Sequence, residues 1–317
     1  VELTAYIIGT HIETLTALSS WKKAALLWSS CMVLADFILH SRVNARWDYS
    51  GMDSIEGCVD KKHFKNYPYP IEYVYNSRGF RDAEWPNSVE ELKNAIWCIG
   101  DSFTVGLGSP LAHTWPYLLQ QQSGRRCINV SMDGASNEWI ARKTRSIIKE
   151  INPTDIVIMW SYPHRREKKD NSLSDEGRRI HAITELVNDK LENIINFKSC
   201  VESVNNQYNN IKHTTIPFAF TGSDINELIR IFNIVKDVSW PGVTSCADFF
   251  NLPTHIINEL DDVFNEYDNM LELTEVSKIT DYCKSMYNIV EVTQIDYARD
   301  FHHFDKLTSQ WLIEQIC

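Results

Sequence analysis

The sequence predicts an α/β protein built on a parallel sheet of about five strands with helices on both faces. Three observations carry this. Short runs of consecutive apolar residues recur from about residue 94, and a strand that is apolar throughout, rather than alternately, is one buried on both faces. Helical stretches separate those runs, which is the pattern of parallel strands joined by crossovers. At 317 residues the chain is long enough for one large domain, or two modest ones, with a sizeable core.

Taken in order, residues up to about Arg46 read as helical, with Glu13 to about His40 as an amphipathic or buried helix. Its uncharged run, Ala24 to Ala35, is too short to span a bilayer, and no small-residue cleavage site follows it. Trp47 to Pro86 carries Gly51, Gly57, Pro68, Pro70 and Gly79 among many aromatics and reads as an ordered connection. Ala95 to Ile99 is the first strand, running into Gly100-Asp101-Ser102. A helix fits Trp115 to Gln122, with Thr114 as its N-cap. Cys127 to Val130 is the second strand, and Asn137 to Ile151 is a helix ended by Asn152-Pro153. Asp155 to Trp160 is the third strand. Arg178 to Ile211 reads as one long helix, Thr214 to Phe220 as a fourth strand and Val290 to Ile295 as a fifth. Residues 222–285 hold extra helical material, a cap or insertion, and Phe304 to Ile316 is the closing helix.

Composition narrows the function classes. Lys plus Arg is 31 and Asp plus Glu is 42, a net charge of −11. So acidic a chain is a poor general binder of nucleic acid, whose phosphates need clustered Lys and Arg. The eight cysteines are scattered with no C-x-x-C pair, which argues against a zinc site and for buried free thiols in a reducing compartment. No metal or organic cofactor is expected.

In parallel sheets chemistry collects at the carboxyl ends of the strands. Gly100-Asp101-Ser102-Phe103 lies there, directly after the first strand. A serine hydroxyl is a weak nucleophile and needs a base within reach, itself oriented by a third group. Asp300-Phe301-His302-His303, after the last strand, supplies both: Asp300 can bond one imidazole nitrogen of His303 while the other faces Ser102. The backbone N–H groups of Ser102 and of Gly134, in the turn after the second strand, can form an oxyanion hole. His302 is expected to be a packing or surface residue, and His113 to make a hydrogen bond at a helix start.

Gly100-Asp101-Ser102 with Asp300-x-x-His303 resembles the SGNH (GDSL-type) hydrolase family. Tyr75-Asn76-Ser77-Arg78-Gly79-Phe80-Arg81 resembles a lead-in of many bacterial and viral members, and Phe304 to Trp311 resembles copies in phages of marine bacteria. The resemblance covers about residues 75–317 and leaves 1–74 as an N-terminal helical and aromatic-rich extension. It implies a flavodoxin-like three-layer fold and ester hydrolysis or acyl transfer, with small acyl groups on carbohydrate as the favoured substrate. By similarity Ser102 is the nucleophile, His303 the base, Asp300 its orienting partner and Gly134 an oxyanion donor.

One departure stands out. The family's Gly-x-Asn-Asp motif, whose Asn is an oxyanion donor, is absent; the third strand runs into Ser161-Tyr162-Pro163-His164-Arg165. Losing one such donor costs about 10²–10³ in rate. Either the enzyme is slow, or Ser161, Tyr162, His164 or Asn137 replaces the donor, or catalysis has been lost. Asp101, Tyr162, His164 and Arg165 are the candidate substrate contacts. The rival functions are an acyltransferase with the same three residues and an inactive carbohydrate-binding or virion component. Trp21, Trp28, Phe37 and Trp47 in residues 1–74 offer either a protein-partner face or ordinary core packing.

Overall fold

Backbone hydrogen bonds join the apolar runs into one parallel sheet. In the computed structural model the described residues are 42–163, 165–167, 190–216 and 284–317, all within the compact unit Leu39–Cys317. Its strands are β3 (Ile96–Gly100), β4 (Cys127–Ser131), β5 (Asp155–Trp160), β6 (Ile211–Thr215) and β7 (Val290–Glu291), preceded by a two-stranded antiparallel pair, β1 (Arg46–Trp47) and β2 (Tyr73–Val74). The large sheet has the order β4-β3-β5-β6-β7, with Ile96 opposite Cys127 on one side and Asp155 on the other. Counted from its first strand this is 2-1-3-4-5, the flavodoxin-like order.

Helices α1 (Lys61–Asn66), α2 (Val89–Asn94), α3 (Ser102–Val105), α4 (Trp115–Ser123), α5 (Asn137–Glu150), α6 (Lys190–Asn205) and α7 (Lys306–Ile316) fill the connections. The chain steps one way along the sheet from β3 to β4 and the other way from β4 to β5. Right-handed crossovers therefore place α4 and α5 on opposite faces. Accordingly α4 packs against α7, and α5 against α6. Trp97, Ile99, Ile128, Val130, Ile158 and Trp160 have no exposed surface, as expected for strands covered on both sides.

Several expectations are corrected. Residues 42–47 are a turn and a strand rather than helix: Asn44 takes a left-handed φ of 53° and Arg46–Trp47 pairs with Tyr73–Val74. The long helix read as ending at Ile211 ends at Asn205, because the Asn- and Gln-rich turn that follows leads into β6. That strand starts earlier than Thr214, its apolar signal broken by Lys212 and His213, and it pairs with β5. β7 stops at Glu291, since residues 295 and 296 turn aside to bond Thr308 Oγ1 through their N–H groups (2.9 and 3.1 Å). Thr114 sits at the N-cap of α4 but its hydroxyl donates to Leu111 O. Cys58, Cys98, Cys127 and Cys200 are buried free thiols, whereas Cys317 is exposed. The helix at Glu13 to His40, the cap at 222–283 and His164 lie outside the described residues.

Residues 42–86 are tied to the loop after α3. Ile71, Tyr73 and Tyr75 form a buried cluster with Val105 and Leu107. Arg81, 1% exposed, directs its guanidinium to the carbonyls of Val105, Gly106 and Ser109 (3.1, 2.5 and 2.9 Å) under the ring of Tyr73. Among the described residues no helix is long and apolar enough to cross a membrane.

The start of α7 is capped from a distance. Asp305 occupies the N-cap without capping; its carboxylate accepts from Tyr67 Oη (2.7 Å) and Ser109 Oγ (3.2 Å) and lies 2.8 Å from His113 Nδ1. Asp296 caps instead, accepting from the N–H groups of Leu307 and Thr308 (2.8 and 2.9 Å). Asp296→Ala is therefore expected to cost about 1–2 kcal/mol, the loss of a helix cap, read as a lower denaturation midpoint with an unchanged m-value.

Candidate active site

Ser102 owes its position to a tight exit from β3. Gly100 is hemmed in: a Cβ there would lie 2.1 Å from Thr104 Oγ1 and 3.0 Å from Met159 O. Only glycine lets the strand turn into α3 at that separation. Asp101 caps the helix, Oδ1 accepting from Phe103 N at 3.1 Å, and Ser102 follows as its first residue. Ser102 is 2% exposed.

The Asp300–His303 turn meets it from the other side. Ser102 Oγ lies 2.9 Å from His303 Nε2, and His303 Nδ1 lies 2.5 Å from Asp300 Oδ2. Asp300 Oδ1 accepts from the N–H groups of His302 and His303, both at 3.0 Å. Burial alone would push the Asp300 carboxyl up, but the charge and hydrogen bond of His303 outweigh it and hold it below the usual range. Burial alone would push His303 down, yet the Asp300 charge and hydrogen bond raise it above its ordinary 6.5, with smaller contributions from Asp133 and Asp101. The Phe103 ring packs on His303 and Phe304 (centroids 4.5 and 4.6 Å), fixing the imidazole plane. His302 points its N–H at Asp300 and stacks its ring edge-on to His303 (4.7 Å).

The loops after the neighbouring strands flank this group. Gly134 follows β4, which lies beside β3, and takes a left-handed φ of 70° in a turn closed by Ala135 N to Met132 O (3.0 Å). A side chain there would be strained. Two of the other proposed oxyanion donors, Asn137 and Ser161, are committed elsewhere. Asn137 Nδ2 donates to Ser161 O (3.0 Å) and Tyr162 O (3.4 Å), and its Oδ1 accepts from Ser161 N (2.7 Å). Ser161 Oγ donates to Asp101 Oδ2 (2.6 Å). Arg165 joins them, Nη1 reaching Asp101 Oδ2 (2.7 Å) and Ser161 Oγ (2.8 Å) with its guanidinium over the Tyr162 ring. Burial raises Asp101, and Arg165 and Ser161 oppose that. Thus Asp101, Ser161, Tyr162 and Arg165 form one cluster at the exit of β5, adjoining Ser102, with Asp101 and Ser161 buried and Tyr162 and Arg165 partly exposed.

The sequence reading missed Asp53, Tyr73, Gly108 and Arg299, which surround the Asp300 turn. The signal for Asp53 and Tyr73 was a carboxylate inside the aromatic-rich segment; Gly108 and Arg299 carried none. Among the described residues no group of three His, Cys, Asp or Glu side chains could hold a metal ion.

No protein-family profile and no curated protein matches the sequence. Solved structures superpose only loosely. The crystal structure of TesA is 13% identical with a TM-score of 0.37, covering 70% of this chain and 96% of its own. A lipolytic protein of the G-D-S-L family from Desulfitobacterium hafniense is 14% identical at 0.37, covering 70% and 97%. A family two carbohydrate esterase from Clostridium thermocellum in complex with cellohexaose is 14% identical at 0.36, covering 74% and 64%. At such superposition these likenesses assign neither family nor activity, and the fold rests on the sheet order itself.

Because the Asp300 charge is what lifts His303, removing it should reverse the shift. NMR titration of the imidazole is expected to give a midpoint above 6.5 in the wild type and a lower one in Asp300→Asn, where burial acts unopposed.

Proposed function

We propose that this protein is a serine ester hydrolase in which Ser102, His303 and Asp300 act as nucleophile, base and orienting acid. The observation that carries the reading is the pair of contacts on one buried imidazole, 2.9 Å from Nε2 to Ser102 Oγ and 2.5 Å from Nδ1 to Asp300 Oδ2. A hydroxyl, a base and a group that fixes the base's tautomer are what acyl transfer through serine requires.

Ser102 Oγ attacks the acyl carbonyl as His303 Nε2 takes its proton. Asp300 accepts the Nδ1–H and stabilises the imidazolium. The N–H groups of Ser102 and Gly134 hold the oxyanion. The alcohol leaves with the proton from His303, and an acyl-enzyme remains. Water, deprotonated by the same imidazole, then releases the acid and restores the serine. Small acyl groups on carbohydrate are the favoured substrates, following the motif resemblance. Transfer to an acceptor other than water is the alternative for the same three residues, and a sugar that outcompetes water for the acyl group would reveal it.

The base must be neutral to accept the proton. Activity should therefore rise with pH through a midpoint above 6.5, the direction in which His303 is shifted. Hydrolysis of p-nitrophenyl acetate, an activated ester, is the test. Turnover is expected in the wild type and abolished in Ser102→Ala with the fold intact. Asp300→Asn is expected to lose up to about 10⁴ in kcat through the wrong tautomer. Full activity in Ser102→Ala would defeat the proposal. A folded wild type inert to this ester and to a fluorophosphonate probe would favour the binding or structural alternative.

A further inference from the structure

Four residues outside the Ser102–His303–Asp300 group form a closed ring one residue away from it. Arg299 directs Nε to Asp53 Oδ1 (2.8 Å) and Nη2 to Asp53 Oδ2 (2.7 Å), a two-pronged fork. Asp53 Oδ2 also accepts from Tyr73 Oη at 2.6 Å. The Tyr73 oxygen in turn accepts from Gly108 N at 2.8 Å. The Gly108 carbonyl accepts from Arg299 N at 2.7 Å, which closes the ring. Asp53 and Tyr73 have no exposed surface.

This ring presses on the carboxylate of Asp300. Gly108 has φ +72°, and a Cβ on it would lie 3.0 Å from both Cγ and Oδ1 of Asp300 and 2.8 Å from Ala298 Cβ. The backbone of Gly108 therefore forms one wall of the Asp300 pocket. Val59 N adds a bond to Asp300 O (3.0 Å) from the same N-terminal segment. On the far side of Asp300, Phe301 holds a left-handed φ of 60°, a strain of about 1–3 kcal/mol for a bulky residue. Its ring packs against His63 and Tyr297 (centroids 4.9 and 4.6 Å).

A buried ion pair is a weak source of stability, since apolar residues of the same volume often serve as well. What the fork supplies is direction: two parallel hydrogen bonds fix the guanidinium, and the backbone behind it, to a single geometry. Arg299 also neutralises Asp53, so the ring adds geometry next to Asp300 with little added charge.

We propose that Asp53, Tyr73 and Arg299 are positioning residues, which through Gly108 fix the turn on which the Asp300 carboxylate meets His303. The proposal rests on the assignment of Ser102, His303 and Asp300 made above. It makes residues 48–73 a functional part of the site and not a mere covering.

Two charge-conserving variants of the full chain test it, Arg299→Lys, which loses the fork, and Tyr73→Phe, which loses the acceptor for Gly108 N. Each is made alone and with Asp300→Asn. The readouts are the NMR titration of His303, which needs no substrate, and kcat and KM on p-nitrophenyl acetate. Each single variant is expected to lower the His303 midpoint toward that of Asp300→Asn. Each should cut kcat by about 10- to 100-fold, the cost of a misplacement near 1 Å, with KM unchanged. Combined with Asp300→Asn, neither should lower kcat further, because both act through the group already lost. An unchanged His303 midpoint, or an equal loss in both backgrounds, would overturn the proposal and leave the ring a fold-holding element only. If Tyr73→Phe fails to fold, Arg299→Lys decides. A wild type without Ser102-dependent turnover defeats the ester reading alone, and the His303 midpoint still decides the positioning.

Discussion

A carboxylate with no exposed surface can stay charged only if hydrogen-bond donors replace the water it has lost. Asp300 is such a group, and its donors are the N–H groups of His302 and His303 and the imidazole Nδ1 of His303. All three lie on its own turn and two are backbone N–H groups, so the carboxylate constrains the backbone there. The turn puts Phe301 in the left-handed region and turns His303, rather than His302, inward to Ser102. The choice between two adjacent histidines is made by the accommodation of one charge.

The two halves of the site are held by different means. Ser102 follows a strand bonded to neighbours on both sides, and it inherits the stiffness of the sheet. Asp300 and His303 follow a strand of two residues at the sheet edge and lie in irregular chain. Rigidity there comes from side chains reaching across. Asp296 and Thr308 pin residues 295–308 to one another, the Asp53–Arg299 fork holds the middle, and Asp305 ties the end to Tyr67, Ser109 and His113. Side-chain networks of this kind stiffen a site only when every member is satisfied. Residues 42–75, which contribute no strand to the large sheet, supply several of these contacts, through Asp53 and Tyr67.

The same division explains what could be read from the sequence. Ile96–Gly100, Cys127–Ser131 and Asp155–Trp160 were legible because a strand covered on both faces writes itself as consecutive apolar residues. The start of β6 was not, since Lys212 and His213 interrupt the run, and β7 was found at Val290 but drawn too long. Ser102 could be placed because it stands one residue past the end of β3, and Asp300 and His303 because they form a short motif just before the closing helix. The cap of the closing helix lay beyond the sequence pattern: Asp305 stands at the N-cap, but its carboxylate serves three distant side chains while Asp296 does the capping. The Asp53–Arg299 fork joins opposite ends of the chain, and no local pattern records a contact of that separation.

At the exit of β5 the sequence lacks the oxyanion-donor Asn that its motifs lead one to expect, and the structure shows what occupies the place. The Asn137 amide holds the backbone of Ser161 and Tyr162, while Ser161 Oγ and Arg165 converge on Asp101. Asp101 immediately precedes Ser102 and is fully buried. Left unpaired, its charge would oppose the negative charge that develops on an acyl oxygen beside Ser102, strongly so where water is excluded. Arg165 removes that opposition by neutralising the carboxylate. Under the ester-hydrolysis reading, its effect on an oxyanion would be exerted through Asp101, without a hydrogen bond to the oxygen itself. Under the ester-hydrolysis reading, the hole is two backbone donors in a neutralised surround in place of three donors. Such a hole favours esters with good leaving groups, for which less charge must accumulate on the carbonyl oxygen in the transition state.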